Sequence, residues 1–304
     1  MAGKVLVGLD WGGTKIEVVA MTPAGRELFR QREDTPRGDY GACLAVMAEL
    51  AGHVEREVGP FDRVGVGIPG SIDPTTGLGK GASSTWIIGQ PVERDLQAAL
   101  GGRAVRAVND VDALVASEAR DGAAAGYRFV FAANFASGVG GGIAIDGRAH
   151  HGPNNNAADW GHNPLPWATE DELPGPSCWC GLTGCIETWV SGRAFQAQYQ
   201  EAADERLHGS RIVELARAGD SLARGLLERY IDRVARGLAV VVNALDPDIF
   251  VLGGGMSNVD ELYQQLPEQI LRYTFTTVFT TPIVKSVHGD SSGVRGAAWL
   301  WAEE

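Results

Sequence analysis

The chain has 304 residues, 44% of them hydrophobic, which is enough for two packed lobes of a globular protein. Its formal net charge of −12 argues against a nucleic-acid or anionic-membrane partner, because such surfaces need clustered Lys and Arg. The apolar runs are too short to span a bilayer and no targeting segment precedes the first strand, so a cytoplasmic protein is expected.

The N-terminal third alternates strand and helix patterns. An apolar run at 4–10 is followed by two segments, 14–21 and 26–32, that can continue it as an antiparallel meander. Further along come a helical spacing at 44–58, a buried-strand run at 64–68, a short helix after Pro91, a strand at 105–108 and an Ala-rich helix at 110–125. This order predicts an α/β lobe.

A second lobe begins near Gly126, with strands at 128–135 and 139–145 joined by a Gly-rich turn. Residues 152–187 lack periodicity, and such long irregular stretches are usually functional. A long helix at about 221–244, strands at 248–252 and 282–288, and a last helix at 293–301 complete the chain. The predicted division is a smaller lobe of 1–120 plus 292–304 and a larger lobe of 121–291, with a cleft between them.

Three Gly-rich turns at strand ends favour nucleotide binding, since glycine lets backbone N–H groups approach phosphate oxygens. They are Asp10-Trp11-Gly12-Gly13-Thr14-Lys15, Ser137-Gly138-Val139-Gly140-Gly141-Gly142 and Gly253-Gly254-Gly255. Thr14 and Lys15 can add donors, and Asp10 can hold Mg²⁺ directly or through water. A plain hairpin turn is the alternative interpretation of the first turn.

A fourth glycine pattern, residues 65–70, fits G-x-G-x-x-G but is followed by turn sequence and not by a helix start. The strand–turn–helix context of a dinucleotide site is therefore missing. No G-x-x-x-x-G-K-[ST] loop occurs, which argues against a P-loop enzyme.

Three cysteines lie close together as C-x-C-x₄-C, at Cys178, Cys180 and Cys185, whereas Cys43 stands alone. A tight cluster suggests metal rather than a disulfide framework. With His162, the nearest upstream histidine, the set becomes Cys₃His, a common structural zinc site with no open position for catalysis. Free buried thiols are the alternative.

A candidate general base is Asp110, which stands in Val108-Asn109-Asp110 where a strand meets a helix. On local sequence alone, a helix N-cap is the favoured interpretation of Asn-Asp at such a junction.

Together these motifs resemble the ROK family of sugar kinases and related repressors. The resemblance is carried, in order along the whole chain, by Asp10-x-Gly-Gly-Thr-Lys, Asn109-Asp110, Gly161-His162 and the Cys-x-Cys-Gly-x-x-Gly-Cys-x-Glu segment at 178–187. The segments 161–167, 251–258 and 288–298 look especially like bacterial fructokinase/mannokinase members.

The resemblance implies an α/β protein with the actin-like ATPase (ribonuclease H-like) fold, two lobes around a central cleft, and a hexose kinase that uses Mg-ATP and makes a sugar 6-phosphate. A homodimer is also expected. By this analogy Asp110 is the general base. The implied sugar-binding residues are Asn109, Asp159, His162, Glu187, Gly70 and Ser83. The implied ATP-binding residues are Asp10, Gly12, Gly13, Thr14, Lys15, Ser137, Gly138, Gly254 and Gly255. Zn²⁺ is structural, on His162, Cys178, Cys180 and Cys185.

Several residues depart from the family pattern. Family members usually have Gly-Thr-Gly at Ala136-Ser137-Gly138 and Gly-Glu at Ala158-Asp159. Close relatives carry Asn near Ser83 and Gly-Thr near Asn155-Asn156, and Asn is common at Asp112. These changes leave the identity of the sugar substrate undetermined, because a hydrogen-bonding site can reject a mismatched sugar by orders of magnitude.

Three hypotheses follow for the function. The first is a kinase for fructose or mannose. The second is a kinase for an amino sugar or other modified sugar, of the N-acetylglucosamine or N-acetylmannosamine type. The third is a non-catalytic sugar-sensing regulator, but the chain shows no N-terminal helix-turn-helix segment and retains Asp10, Lys15 and Asp110.

Overall fold

Residues 5–302 are described by a computed structural model, Asp290 by its backbone alone. By its contacts the chain divides into two units. Unit 1 comprises the residues up to Arg128, Gly142–Ala157 and the residues from Asp290 onward, and unit 2 comprises Phe129–Gly141 and Ala158–Gly289. The contacts thus give 142–157 to unit 1, whereas the sequence-based division gave them to the second lobe.

The strands, in chain order, are β1 (Leu6–Trp11), β2 (Lys15–Met21), β3 (Glu27–Asp34), β4 (Arg63–Ile68), β5 (Ser71–Ile72), β6 (Gly79–Lys80), β7 (Ala104–Asn109), β8 (Phe129–Phe135), β9 (Val139–Ile145), β10 (Arg148–Ala149), β11 (Ile249–Gly253) and β12 (Ile283–Lys285). The helices are α1 (Tyr40–Glu57), α2 (Val92–Ala99), α3 (Asp110–Arg120), α4 (Glu187–Val190), α5 (Gly192–Ala203), α6 (Gly209–Arg217), α7 (Ser221–Leu245), α8 (Asp260–Leu271) and α9 (Ser292–Trp299).

Unit 1 is built on a sheet of order β3-β2-β1-β4-β7. β1, β2 and β3 form the antiparallel meander that the sequence predicts, while β4 and β7 run parallel to β1. Leu9 and Val66 of the sheet and Met47 and Leu50 of α1 are fully buried in one core. Full burial of each such side chain stabilises the fold by about 1.5–3 kcal/mol.

The last helix, α9, packs on unit 1 through glycines that permit close backbone approach. A Cβ on Gly8 of β1 would lie 2.2 Å from the Val294 carbonyl oxygen. On the other side of the helix, a Cβ on Gly296 would lie 1.6 Å from the carbonyl oxygen of Ala113 in α3. No side chain fits in either gap, so α9 is held against both the sheet and α3.

Unit 2 contains β8, β11 and β12 in parallel, with β9 beside β8. Gly142–Ile145 of β9 belongs to unit 1, where Ala144 and Ile145 pair with β10. The Trp160 ring meets Phe131 and Phe135 edge-on at 6.0 Å, and its Nε1 donates to the Gly140 carbonyl at 2.9 Å. This packing seats the start of the irregular stretch on the sheet.

A buried ion cluster joins the irregular stretch to α7. The Glu172 carboxylate accepts from Arg233 Nε at 2.7 Å and from Arg236 Nη2 at 2.8 Å, and all three residues are buried. Burial alone would raise the pKa of Glu172, but the hydrogen bonds from Arg236 and Arg233 lower it to about 2. A paired and fully hydrogen-bonded carboxylate can be buried in this way, whereas an unpaired one cannot.

Among the helices of residues 5–302, none is both long enough and apolar enough to cross a membrane.

Gly296→Ala is expected to destabilise the protein by more than about 2 kcal/mol, because the new Cβ would overlap the Ala113 carbonyl and push α9 away from α3. Gly225→Ala is the matched control, since it lies in α7 with only Arg229 Nη1 near the new Cβ, at 3.8 Å. The control should change stability by no more than about 1 kcal/mol. Equal denaturant midpoints for the two variants would contradict this account of α9.

Candidate active site and metal centre

Two carboxylates meet at the carboxyl edge of the first sheet. Asp10 pairs with Gly67 across β1 and β4, and Asp110 follows the end of β7. A Cβ on Gly67 would lie 3.3 Å from Asp10 Oδ1 and 3.8 Å from the Asp110 Cα. Because β1, β4 and β7 are parallel, their ends share one edge, where open α/β sheets bind ligands.

Burial and the charges of neighbouring acids raise the pKa of both Asp10 and Asp110. Burial, then the charges of Asp110 and Glu17, raises the pKa of Asp10 to about 7, against the opposing effect of Lys15 and Arg32. Burial also raises the pKa of Asp110 to about 6, although backbone hydrogen bonds oppose it. A carboxylate whose pKa lies near neutral pH is suited to accept a proton. Two neighbouring acids of this kind also attract a divalent cation.

The N-cap of α3 is Asn109, not Asp110. Asn109 Oδ1 accepts from the Val111 backbone N–H at 2.9 Å, and its Nδ2 donates to the Gly70 carbonyl at 2.9 Å. Gly70 adopts a left-handed φ of 77°, and a Cβ there would lie 2.4 Å from the Lys80 carbonyl oxygen. Asn109 and Gly70, both predicted sugar-binding residues, are thus brought together next to Asp110.

The Gly12-Gly13 turn is a hairpin between β1 and β2, with the Gly12 N–H donating to the Lys15 carbonyl at 2.9 Å. Gly13 and Thr14 are exposed, and a Cβ on Gly13 would lie 3.6 Å from Ser84 Oγ. The plain-hairpin interpretation therefore describes the backbone correctly. It does not exclude phosphate binding, since the turn still offers an open, glycine-lined surface.

The charge cluster that surrounds the buried Glu17 beside this turn is not predicted from the sequence. Glu17 of β2 is fully buried, and Arg32 Nε, Arg30 Nη1 and Lys15 Nζ lie 3.0, 3.1 and 3.8 Å from its carboxylate oxygens. Ser291 Oγ also donates to Glu17 at 3.3 Å. The available signal was a glutamate among apolar residues of a strand. The cluster fixes the position of Lys15, a predicted phosphate ligand.

The remaining departures in unit 1 lie on three segments of the chain, at Ser83, at Asp112 of α3 and at Asn155-Asn156. Asp112 is buried and contacts His151 Nδ1 at 2.7 Å, and this hydrogen bond raises the pKa of His151. Asn155 has a left-handed φ of 47° and its Nδ2 donates to the Ile72 carbonyl at 2.9 Å. Ser83 and Asn156 are exposed. The Asn155 side chain therefore holds the segment 152–157 against β5.

In unit 2, a cavity of about 690 Å³ adjoins the second and third glycine turns. Gly254 has a φ of 78°, and a Cβ there would lie 2.4 Å from the Phe135 carbonyl carbon, so only glycine fits between the ends of β11 and β8. The cavity is lined by Ser137, His208, Gly255, Met256, Asn258 and further residues of α5 and α6. Its size and its apolar and polar lining suit a nucleoside.

Gly138 lies instead against Glu187, since a Cβ on it would be 2.6 Å from Glu187 Oε2. The buried Glu187 carboxylate accepts from the Val139 N–H at 2.9 Å on Oε2 and from Trp179 Nε1 at 2.6 Å on Oε1. Arg193 Nη2 is 4.0 Å from the same carboxylate. The carboxyl group of this predicted sugar ligand is thus held in one orientation beside the Ser137-Gly138 turn.

The predicted metal ligands converge. Ligand atoms of His162, Cys178, Cys180 and Cys185 all lie within 4.8 Å of one another. The Cys180–Cys185 sulfur distance is 3.7 Å and the Cys178 Sγ to His162 Nδ1 distance is 3.5 Å. A tetrahedral zinc with Zn–S of about 2.3 Å and Zn–N of about 2.0–2.1 Å needs about 3.8 and 3.5 Å for these edges. The donor set and its spacing therefore fit zinc.

Backbone hydrogen bonds between residues close in sequence bend the segment 178–185 around the four predicted metal ligands. The Cys178 N–H donates to the Leu182 carbonyl at 2.8 Å, and Gly181 and Gly184 take left-handed φ values of 92° and 71°. A bridge between Pro164 and Cys185 brings the His162 segment alongside. All four cysteines are free.

Asp159 is the N-cap residue of a 3₁₀ turn, Trp160–His162, and His162 is its last residue. Ala158 before it has a left-handed φ of 61°, and its carbonyl accepts from the Trp160 N–H at 2.7 Å. Asp159 is exposed. The turn places a predicted sugar ligand and a predicted zinc ligand within four residues of each other.

Comparison with known proteins agrees with these features. The ROK family model matches residues 6–304. An N-acetyl-D-glucosamine kinase of Haemophilus influenzae is 34% identical over 299 residues, covering 97% of this chain and 98% of that protein. An N-acetyl-D-glucosamine kinase of Pectobacterium atrosepticum is 36% identical over 297 residues, covering 96% and 97%.

Among solved structures, a ROK hexokinase from Thermus thermophilus matches with a TM-score of 0.83 at 32% identity, covering 97% of this chain and 96% of that one. This similarity confirms the predicted α/β, actin-like ATPase fold.

Freshly purified protein is expected to contain one zinc per chain, and Cys185→Ser or a strong chelator should lower both the zinc content and the melting temperature. The reason is that metal binding energy contributes to folding. Cys43→Ser is the matched control, since Cys43 is buried in unit 1 and should leave the zinc content unchanged. Elemental analysis that finds no stoichiometric zinc would contradict the metal centre.

Asp110→Asn is expected to lower kcat by about 10²–10⁴-fold, because the amide keeps the shape of the side chain but cannot accept a proton. Sugar affinity measured by calorimetry should be retained, and Asn109 should still cap α3. Asp112→Asn, in the same helical turn, is the control and should keep most of the activity.

The wild-type rate supplies a second check. Protonation removes the base, so kcat/KM should fall as the pH drops through about 6. A D110N variant with near-normal kcat would contradict the role of Asp110.

Proposed function

The chain belongs to the ROK family, and from that premise we propose that this ATP-dependent sugar kinase phosphorylates an N-acetylated amino sugar, N-acetylglucosamine in particular, on its primary hydroxyl. The products are the sugar 6-phosphate and ADP.

The choice of sugar is supported by the relatives. Proteins 34% and 36% identical to this chain, over almost their full length, are named N-acetyl-D-glucosamine kinase. The fructokinase/mannokinase interpretation rested on the segments 161–167, 251–258 and 288–298, and those names do not appear on these relatives. The amino-sugar alternative therefore fits better than the leading sequence-based hypothesis.

The departures of the pocket are compatible with a bulkier sugar. Asp159 is one methylene shorter than the family's Glu, and Ala158 is held in a left-handed turn that directs the backbone at this point. A shorter arm leaves space that an acetamido group can use, and a hydrogen-bonding site discriminates strongly between sugars that do and do not satisfy it.

The phosphoryl transfer needs one base and a neutralised phosphate. Asp110 accepts the proton of the sugar hydroxyl, the freed oxygen attacks the γ-phosphorus of ATP, and the bond from that phosphorus to the β–γ bridging oxygen breaks to release ADP. Since there is little covalent chemistry for the protein to perform, positioning and charge stabilisation supply most of the catalysis.

The N-terminal turn supplies the charge stabilisation. Lys15, held near Glu17, and the exposed backbone of Gly13 and Thr14 would hold phosphate oxygens, while Gly12 shapes the turn through its hydrogen bond to Lys15. Asp10, whose pKa is raised to about 7, would hold Mg²⁺, and binding of the cation would keep its carboxylate ionised. When bound, Mg²⁺ neutralises charge on the β- and γ-phosphates.

Unit 2 supplies nucleotide and sugar contacts. The cavity lined by Ser137 and Gly255 would hold the adenosine, with Gly138 and Gly254 shaping the adjoining turns. Glu187, Asp159 and His162 would hold sugar hydroxyls. Because His162 presents Nδ1 to the cysteine cluster, its Nε2–H remains as a donor, and the role of zinc is structural.

A coupled ADP-release assay across N-acetylglucosamine, N-acetylmannosamine, glucosamine, glucose, mannose and fructose tests the proposal. We expect the highest kcat/KM with N-acetylglucosamine, at least about tenfold above the unacetylated sugars, since loss of one good polar contact costs about that factor. A preference for fructose or mannose would overturn the choice of sugar, and no ADP release with any of the sugars would overturn the kinase.

A further inference from the structure

We infer that Trp179, the residue between two cysteines of the metal cluster, is a positioning residue that fixes the Glu187 carboxylate for sugar recognition. This inference rests on the proposed function, because it assumes that Glu187 contacts the sugar. It makes the zinc-bound segment a determinant of sugar affinity and not only of stability.

The first observation is the hydrogen bonding of Glu187. Trp179 Nε1 donates to Oε1 at 2.6 Å, and the Val139 N–H donates to Oε2 at 2.9 Å. Each carboxylate oxygen thus has one donor, and the two donors come from different segments of unit 2. A carboxylate held at both oxygens loses its rotational freedom, and its remaining lone pairs point in fixed directions toward a ligand.

The second observation is that Trp179 also contacts His162. The two rings meet edge to face, with centroids 4.9 Å apart and an interplanar angle of 87°. One indole therefore contacts both Glu187 and His162, the two side chains of unit 2 that are predicted to bind the sugar and are not exposed. Trp179 and Glu187 also line one cavity of about 390 Å³.

The third observation is the exposure of the indole. Trp179 is 45% exposed, so burial of its ring supplies only part of the usual stabilisation by a tryptophan. Its one polar atom is nevertheless directed at a buried carboxylate. A residue that only filled a core would show the opposite pattern, with the ring buried and the N–H directed to a backbone carbonyl or to solvent.

Trp179 obtains its position from the cysteine segment. Its neighbours Cys178 and Cys180 both belong to the metal cluster, and the Cys178 N–H and carbonyl are used in the turn that contains Trp179. Opening of this turn would withdraw the indole N–H from Glu187. Loss of the metal should therefore weaken sugar binding by the same route as loss of the indole N–H.

The test compares Trp179→Phe with the wild type, using the best sugar of the panel. Phenylalanine keeps an aromatic ring beside His162 but removes the donor to Glu187. We expect KM and the calorimetric Kd for the sugar to rise by about tenfold, since a hydrogen bond to a charged group is lost. The values of kcat and of KM for ATP should stay within about twofold, and the zinc content should be unchanged.

Two controls separate positioning from a structural role. Trp167→Phe changes another exposed tryptophan of unit 2, 52% exposed, and should leave sugar affinity unchanged. In a Glu187→Gln background, Trp179→Phe should have little further effect on the sugar Kd, because the two residues act through one interaction.

Unchanged sugar affinity in Trp179→Phe, a loss of zinc, or full additivity with Glu187→Gln would each overturn the inference. Because sugar binding is measured without turnover, these outcomes stay distinct from failure of the proposed function, which would appear as no ADP release with any sugar.

Discussion

The proposed chemistry of unit 1 depends on two acids that the fold brings together and partly removes from water. Asp10 and Asp110 stand on either side of Gly67, at the edge where three parallel strands end. Their pKa values rise because burial and like charge both disfavour ionisation. Positively charged groups near these acids can therefore neutralise negative charge at the site. Glu17 gathers Lys15, Arg30 and Arg32 next to the turn, and a bound divalent cation would complete the neutralisation.

Unit 2 contains most of the long irregular stretch 152–187, which lacks periodic apolar residues and is ordered by other contacts. Apolar burial contributes through Trp160, Leu165 and Ile186, and polar groups and the four potential metal ligands add further contacts. Glu172, in the middle of the stretch, is hydrogen-bonded to two arginines of α7, and the Cys₃His cluster brings His162 next to residues 178–185. Hydrogen bonds to charged groups are directional, so the donors from Val139 and Trp179 can hold the Glu187 carboxylate in one orientation.

Features with a local signal could be predicted from the sequence. The spacing of the cysteines predicted that their side chains converge, and the helical pattern over 221–244 predicted α7, observed as Ser221–Leu245. The helix predicted over 110–125 ends at Arg120 instead, since Gly122 follows and the Ala123 N–H bonds to Glu118 Oε2. Long-range pairs such as Glu172 with Arg233 carry no local signal. The capping role at Asn109 and Asp110 also needed coordinates, because either side chain suits an N-cap.

The central claim is that this chain transfers the γ-phosphoryl group of ATP to the primary hydroxyl of N-acetylglucosamine. The most direct measurement is NMR of a reaction mixture containing the protein, Mg-ATP and N-acetylglucosamine. We predict one phosphosugar whose phosphorus couples to the two C6 protons, formed in equal amount with ADP. A phosphosugar with its phosphorus coupled to the anomeric proton, or ADP formed with free phosphate and no phosphosugar, would contradict the claim.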